Sequence, residues 1–211
     1  MDIYQTEEEQ VEALKKWWDE NGKSAIFGVV LGLGAIFGWR EWQDYEITQA
    51  ASASQVYEEM VIAARSSDAE TVEKKANEIT AEYNSTAYGM FARLSLAKVA
   101  ADKGQLDVAA TELRNALAET SQDSIKHVIR LRLARVLASA GDTAEARKVL
   151  SQVSARGEFE VSYLELEGDL SRQENNLDSA RDTYQQAVIL AQASGQDTTV
   201  LDLKLDDLGR N

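Results

Sequence analysis

The sequence contains no cysteine and no proline, and its single histidine is His127. Without cysteine there are no disulfides and no thiolate metal sites, although the redox compartment stays open. One histidine rules out a metal centre or catalytic cluster built from several histidines within one chain. Basic residues are also in short supply, with 22 Lys and Arg against 36 Asp and Glu and a formal net charge of -14. Most of that surplus lies in residues 41–211, a length suited to one ordinary domain. A domain this acidic repels phosphate backbones, and no basic stripe with interleaved aromatics is present, so nucleic acid is not expected as a partner. No glycine-rich phosphate loop or nucleophile motif occurs. Acidic pairs such as Glu165 and Asp169, one helical turn apart, read as solvated helix faces, and His127 beside Lys126 reads as a surface or packing residue. Catalysis finds no support in these patterns, and neither a cofactor nor a resident metal is expected.

Charge is wholly absent from Ser24 to Trp39, SAIFGVVLGLGAIFGW, which Lys23 and Arg40 bracket. At about 1.5 Å per residue such a helix spans roughly 24 Å, short of a hydrocarbon core of roughly 30 Å. Lys23 and Arg40 can lay their stems along the acyl region with their charges at the headgroups, and Trp39 and Trp42 suit the interface. A buried soluble helix is the competing reading. Four glycines, Gly28, Gly32, Gly34 and Gly38, argue against it, because each would cost such a helix about 1 kcal/mol relative to alanine, whereas bilayer helices tolerate glycine. A cleaved signal peptide fits poorly too. The small-residue run Ala51-Ser52-Ala53 is separated from the apolar segment by Arg40, Glu41, Asp44 and Glu46, and the preceding segment is acidic. The expectation is one uncleaved membrane span at 24–39 in contact with the lipid bilayer. Within it Gly28/Gly32 and Gly34/Gly38 form two small-xxx-small pairs, which suit either close packing against another helix or a glycine-tolerant face toward lipid.

Before the span, residues 2–23 read as a short amphipathic helix with Val11, Leu14, Trp17 and Trp18 at helical spacing, ended by Asn21-Gly22. Lys15, Lys16 and Lys23 lie on this side, against Arg40 alone near the other end. That asymmetry places 1–23 in the cytoplasm and 40–211 across the membrane, in the periplasm of a Gram-negative cell. After Arg40 the scarcity of glycine and absence of proline predict one continuous helix to about Arg65, interrupted at Ser66-Ser67-Asp68. A second helix follows from Ala69 to Tyr83 and completes a hairpin. Asn84-Ser85-Thr86 matches a glycosylation acceptor, but a turn that caps the next helix explains it more simply.

Beyond residue 87 a repeat appears. GQLDVAATELRNAL (104–117), GDTAEARKVLSQVS (141–154) and NNLDSARDTYQQAV (175–188) each open on Gly or Asn, residues that end a helix in the left-handed conformation. Five residues on come Ala109, Ala146 and Ala180; nine on, Leu113, Leu150 and Tyr184; twelve on, Ala116, Val153 and Ala187. Seven before each opening stand Ala97, Ala134 and Gly168. The pattern resembles the tetratricopeptide repeat, a helix-turn-helix unit of about 34 residues in which small residues let helices cross and a large apolar one fills the gap. The expected fold is therefore all-α: one N-terminal transmembrane helix followed by a tetratricopeptide-like α-solenoid, with the leucines of 198–209 on a capping helix. No repeat ends in proline, and Glu167 stands where an apolar residue is usual, so the third repeat is expected to pack less regularly.

The segments VEALKKWWDENGK, GVVLGLGAIFGWREW, YGMFARLSLA, LRLARVLA and LKLDDL together look like the YfgM-type ancillary subunits of the bacterial SecYEG translocon. That resemblance implies a single-pass protein of the bacterial cell inner membrane whose periplasmic repeats contact the SecYEG translocon, a PpiD-like membrane-anchored chaperone and emerging client proteins. It also implies a cytoplasmic influence on the Rcs response regulator of envelope stress. A repeat scaffold for some other envelope complex is the alternative, since solenoids carry many cargoes. The tetratricopeptide likeness further implies that the first helix of each pair lines a concave face. The register then nominates Phe91, Leu94 and Lys98 in the first clear repeat, Val128, Leu131 and Arg135 in the second, and Glu165, Asp169 and Arg172 in the third as partner-binding residues.

Overall fold

The computed structural model describes residues 7–209. Residues 1–6, which belong to the expected N-terminal helix, and 210–211, at the end of the repeat region, lie outside the described residues. Among those described there are nine α-helices and no strand. They run as α1 (Glu7–Arg65), α2 (Ala69–Glu82), α3 (Ala87–Asp102), α4 (Leu106–Glu119), α5 (Asp123–Ser139), α6 (Thr143–Ser151), α7 (Glu160–Gln173), α8 (Leu177–Ala193) and α9 (Thr199–Gly209). A 3-10 turn at Gly157–Phe159 leads into α7. Two compact units meet between Ala51 and Ser52, inside α1.

The first unit is helical throughout its described length, which corrects the break expected at Asn21-Gly22. Asn21 turns its amide back along the helix and donates from Nδ2 to the Trp17 carbonyl at 3.1 Å, while the Trp18 indole covers Gly22, where an added Cβ would stand 3.2 Å from the ring. Glycine serves here as a seat for tryptophan within the helix. Continuity carries the helix beyond both ends of the charge-free run, so that Trp18 and Trp39 lie about 31 Å apart along its axis, close to the roughly 30 Å of a hydrocarbon core, with Asp19, Glu20 and Lys23 at the N-terminal end. The helix that holds this run is long and apolar enough to cross a membrane. Its large side chains, including Ile26, Phe27, Val30 and Phe37, are exposed.

The second unit stacks helical hairpins. Each first helix ends in one cap geometry, which sets a three-residue turn. Gly104, Gly141 and Asn175 adopt φ of +75°, +85° and +61°. The next amide reaches back five residues: Gln105 N–H to Ala100 O at 2.8 Å, Asp142 to Leu137 at 2.9 Å and Asn176 to Ser171 at 2.8 Å. These are Schellman caps, and the positive φ explains why Gly or Asn opens every repeat. In two repeats the residue after the turn caps the next helix, with Asp142 accepting from Glu145 N–H and Asn176 from Ser179 N–H. The α1–α2 turn follows the same scheme, with Ser67 at φ +59° and Asp68 accepting from Thr71 N–H. The Thr71 hydroxyl, which donates to Asp68 Oδ2 at 2.6 Å, and then that backbone N–H hold the Asp68 carboxyl below its ordinary pKa. The turn at Asn84-Ser85-Thr86 leads into α3 with Thr86 at its N-cap position, where the hydroxyl turns back to the Tyr83 carbonyl and makes no cap bond to α3.

All of the repeat positions except Val153 enter the core. Ala97, Ala134 and Gly168 are buried opposite Leu113, Leu150 and Tyr184. Each full burial of a Leu or Ile side chain, such as Leu133 or Ile129, contributes roughly 1.5–3 kcal/mol. The core is a chain of clusters between successive hairpins, from Met60, Val72 and Ile79 through Leu113, Ile129 and Leu150 to Tyr184, Ala187 and Leu201. Irregularity falls on the second repeat rather than the third. Helix α6 stops at Ser151 and leaves Val153 half-buried beyond its end. In the third repeat Glu167 is answered by Arg156, whose Nη2 donates to it at 2.6 Å, and Gly168 admits the whole Tyr184 ring.

A Cβ at Gly168 would fall 2.4 Å from Tyr184 Cε1. Gly168→Ala is therefore expected to destabilise the repeats by about 1–3 kcal/mol. The first two repeats carry Ala with Leu at these positions, so adding Tyr184→Leu should recover part of that loss. Thermal melts of both single variants and the double variant check this, and strictly additive losses would contradict the pairing.

Candidate functional site

A groove of about 810 Å³ opens on the second unit. Helix α3 contributes Phe91 and Leu94, and Tyr57 of α1 adds a second ring 6.0 Å from Phe91. Across from them stand Ile125 and Val128 of α5 with Phe159 of the 3-10 turn. Phe91 keeps 39% of its surface exposed, which leaves its ring available to an incoming apolar group. Lys98, Arg132 and Arg135 bring the positive charge. Lys98 is engaged by Asp102 at 2.7 Å, a pair so exposed that it is worth about 0–1 kcal/mol.

His127 supports this groove from behind. Its ring stacks on Phe159 at 4.9 Å and 16°, and Nδ1 lies 3.0 Å from the Tyr163 hydroxyl. Tyr163 is fully buried, which pushes its phenol pKa up, and the Arg156 guanidinium sits 4.6 Å over its ring. The histidine is therefore a packing residue that fixes the aromatic edge of the groove.

The structure gathers only part of the nominated set. Phe91, Leu94, Lys98, Val128 and Arg135 line the groove together. Leu131 is 5% exposed and packs in the core. The acids of the third repeat have another role: Lys204 of α9 donates to Glu165 Oε1 at 2.7 Å and to Asp169 Oδ1 and Oδ2 at 2.7 and 2.8 Å. Asp169 also accepts from the Tyr184 hydroxyl at 2.7 Å. Burial first, and then that bond to a carboxylate, raise the Tyr184 pKa strongly. The reading of Glu165 and Asp169 as solvated carboxylates is thus corrected, because α9 holds both. Arg172 is exposed and lies outside the groove lining.

Sequence reasoning missed Tyr57, Ile125, Arg132 and Phe159. Tyr57 precedes the first recognised repeat and Phe159 sits in the irregular linker, so neither had a register position. Ile125 and Arg132 are 16 and 9 residues before Gly141, off the positions assigned to the concave face. In the first unit, a Cβ on Gly28, Gly32, Gly34 or Gly38 would meet nothing within 4 Å, so all four positions are open to a neighbour. Among the described residues no group of three or more His, Cys, Asp or Glu side chains is placed to hold a metal.

Lys204→Met strips the cation from two half-buried carboxylates, whose side chains are 25% and 29% exposed. The expected loss is roughly 1–2 kcal/mol, below the about 3–5 kcal/mol of a fully buried pair. Adding Glu165→Gln and Asp169→Asn should restore most of it. The melting temperature reads both steps, and an unchanged value for Lys204→Met would show that α9 docks without this contact.

The family model for a tetratricopeptide repeat-like domain matches residues 15–210. A relative from Escherichia coli named "Ancillary SecYEG translocon subunit" is 36% identical over 188 residues, covering 89% of this chain and 90% of the relative. Relatives of the same name from Haemophilus influenzae and Aggregatibacter actinomycetemcomitans are 34% and 30% identical, each covering 86% of this chain and 88% of the relative. A solved tetratricopeptide repeat protein from Parabacteroides merdae superposes with a TM-score of 0.54 at 16% identity, over 75% of this chain and 58% of that one, and supports the fold alone. The small–large register, the left-handed turns and the matches over nearly the whole length agree: the chain belongs to the tetratricopeptide repeat-like family that includes these ancillary translocon subunits.

Proposed function

We propose that the chain is a non-enzymatic, membrane-anchored adaptor of the Sec translocon, which binds proteins and aids the passage of translocated clients to periplasmic chaperones. The observation that carries this reading is the match to three relatives bearing the ancillary-subunit name over most of both lengths. The architecture suits the task. A spanning helix keeps the repeats at the membrane, and a groove with exposed rings offers a place for protein segments. In this reading residues 1–23 are cytoplasmic, 24–39 cross the inner membrane and 40–211 form the periplasmic repeat domain. Lys15, Lys16 and Lys23 on one side against Arg40 on the other support that orientation. The glycine faces of the span give room for a translocon helix to pack closely. A PpiD-like chaperone is the proposed periplasmic partner, and an Rcs response regulator the proposed cytoplasmic one.

Protease added to spheroplasts is expected to digest residues 41–211 and spare the N-terminal segment; a protected repeat domain would reverse the orientation. Purification from mildly solubilised membranes should bring down translocon subunits together with a membrane-anchored chaperone. Recovery of a different envelope complex without translocon subunits would replace the adaptor by an assembly scaffold.

A further inference from the structure

We infer that the groove between the first two clear repeats receives a short apolar-faced segment of a partner protein flanked by acidic residues. The inference deepens the adaptor reading and rests on it for the existence of a protein partner. Its extent comes from the helices. Phe91 to Ala101 along α3 and Ser124 to Val136 along α5 line the groove, lengths of about 15 and 18 Å. That accommodates two to three turns of a helix or about five residues of extended chain.

Its sign comes from how charge is used. In a chain with 36 acids, most basic side chains at helix junctions are already paired: Arg93 with Glu112 and Glu119, Arg147 with Glu174, Arg156 with Glu160 and Glu167. Arg132 and Arg135 are exposed at the groove, and among the described residues neither makes an ion pair. The third repeat places Glu165 and Asp169 at the register positions of Leu131 and Arg135, and Lys204 takes up both. The groove is thereby left apolar and cationic, with aromatic seats at Tyr57, Phe91 and Phe159. An acidic flank gains two uncompensated guanidiniums, whereas a basic flank meets like charge. Such exposed attraction weakens with salt.

The test uses the full chain in nanodiscs of zwitterionic lipid and two fluorescein-labelled twelve-residue peptides. Both carry Leu and Phe at i, i+3, i+4 and i+7; one has Glu flanks and the other Lys flanks. Fluorescence anisotropy should show the Glu-flanked peptide binding at least about tenfold more tightly, with the preference shrinking as salt rises. R132E with R135E, both solvent-exposed, should abolish the preference at an unchanged melting temperature, and Phe91→Ser should weaken both peptides. Equal binding of the two peptides, or wild-type preference in the folded double variant, would overturn the inference. Failure to bind either peptide while translocon subunits still co-purify would overturn it and leave the adaptor reading standing. Capture of a fluorescent fatty acid that is lost in Phe91→Ser, without peptide binding, would replace the protein segment by a lipid.

Discussion

Close approach of two helices at one small residue is the constraint on which the repeat unit depends. An isolated hairpin leaves one apolar face in water, so stability requires that neighbours stack closely enough to cover it. Ala97, Ala134 and Gly168 supply the space, and Leu113, Leu150 and Tyr184 fill it. The third pair exchanges volume within itself: loss of one methyl on α7 makes room for a phenol on α8, and the ring then gains a bond to Asp169. Asp169 is also a ligand of Lys204, so the crossing inside the last repeat and the docking of the capping helix share one carboxylate. Packing and termination of the solenoid are thereby chemically linked.

Turn geometry transmits this register along the chain. Left-handed residues at 104, 141 and 175 each reverse the chain within three residues and start the next helix at a fixed phase. With the phase fixed, residues ten and six before each turn fall on equivalent sites. What those sites do is decided by the side chains next to them. Leu94 lines the groove, while Leu131, its equivalent, lies in the core. The groove is therefore a local product of the first two repeats, finished by Tyr57 from outside the repeat and by Phe159 from a linker.

The fold was largely legible in the sequence because the signals were periodic and physically specific. Gly, Gly and Asn at the turns, the buried alanines and the long proline-free helix from Trp39 to Arg65 required no knowledge of distant contacts. The break expected at Asn21-Gly22 was misread because a glycine can also be a seat for the ring four residues earlier. The groove was half legible. Residues in register with the repeat were placed, but Tyr57 and Phe159 depend on tertiary contacts that no local spacing encodes. Glu165 and Asp169 were misread for the same reason, since their partner Lys204 lies more than thirty residues away in sequence.

The surplus of acid links these observations. A chain with few cations cannot leave its half-buried carboxylates unanswered, and the arginines at helix junctions serve that need. Arg93 ties Glu112 and Glu119 to α3, and its Nη2 also donates to Asn84 at 3.1 Å in the preceding turn. Arg147 reaches Glu174 and the buried Ser171 hydroxyl of the next repeat. Arg156 neutralises Glu167 at a position where the repeat usually places an apolar side chain. These contacts spend cations on joining helices, and their partners sit where a charge left alone would be costly. Arg132 and Arg135 make no such junction, and core packing does not require their charge, because both are exposed at the groove. Their charge is available to a partner because the structure makes no other use of it.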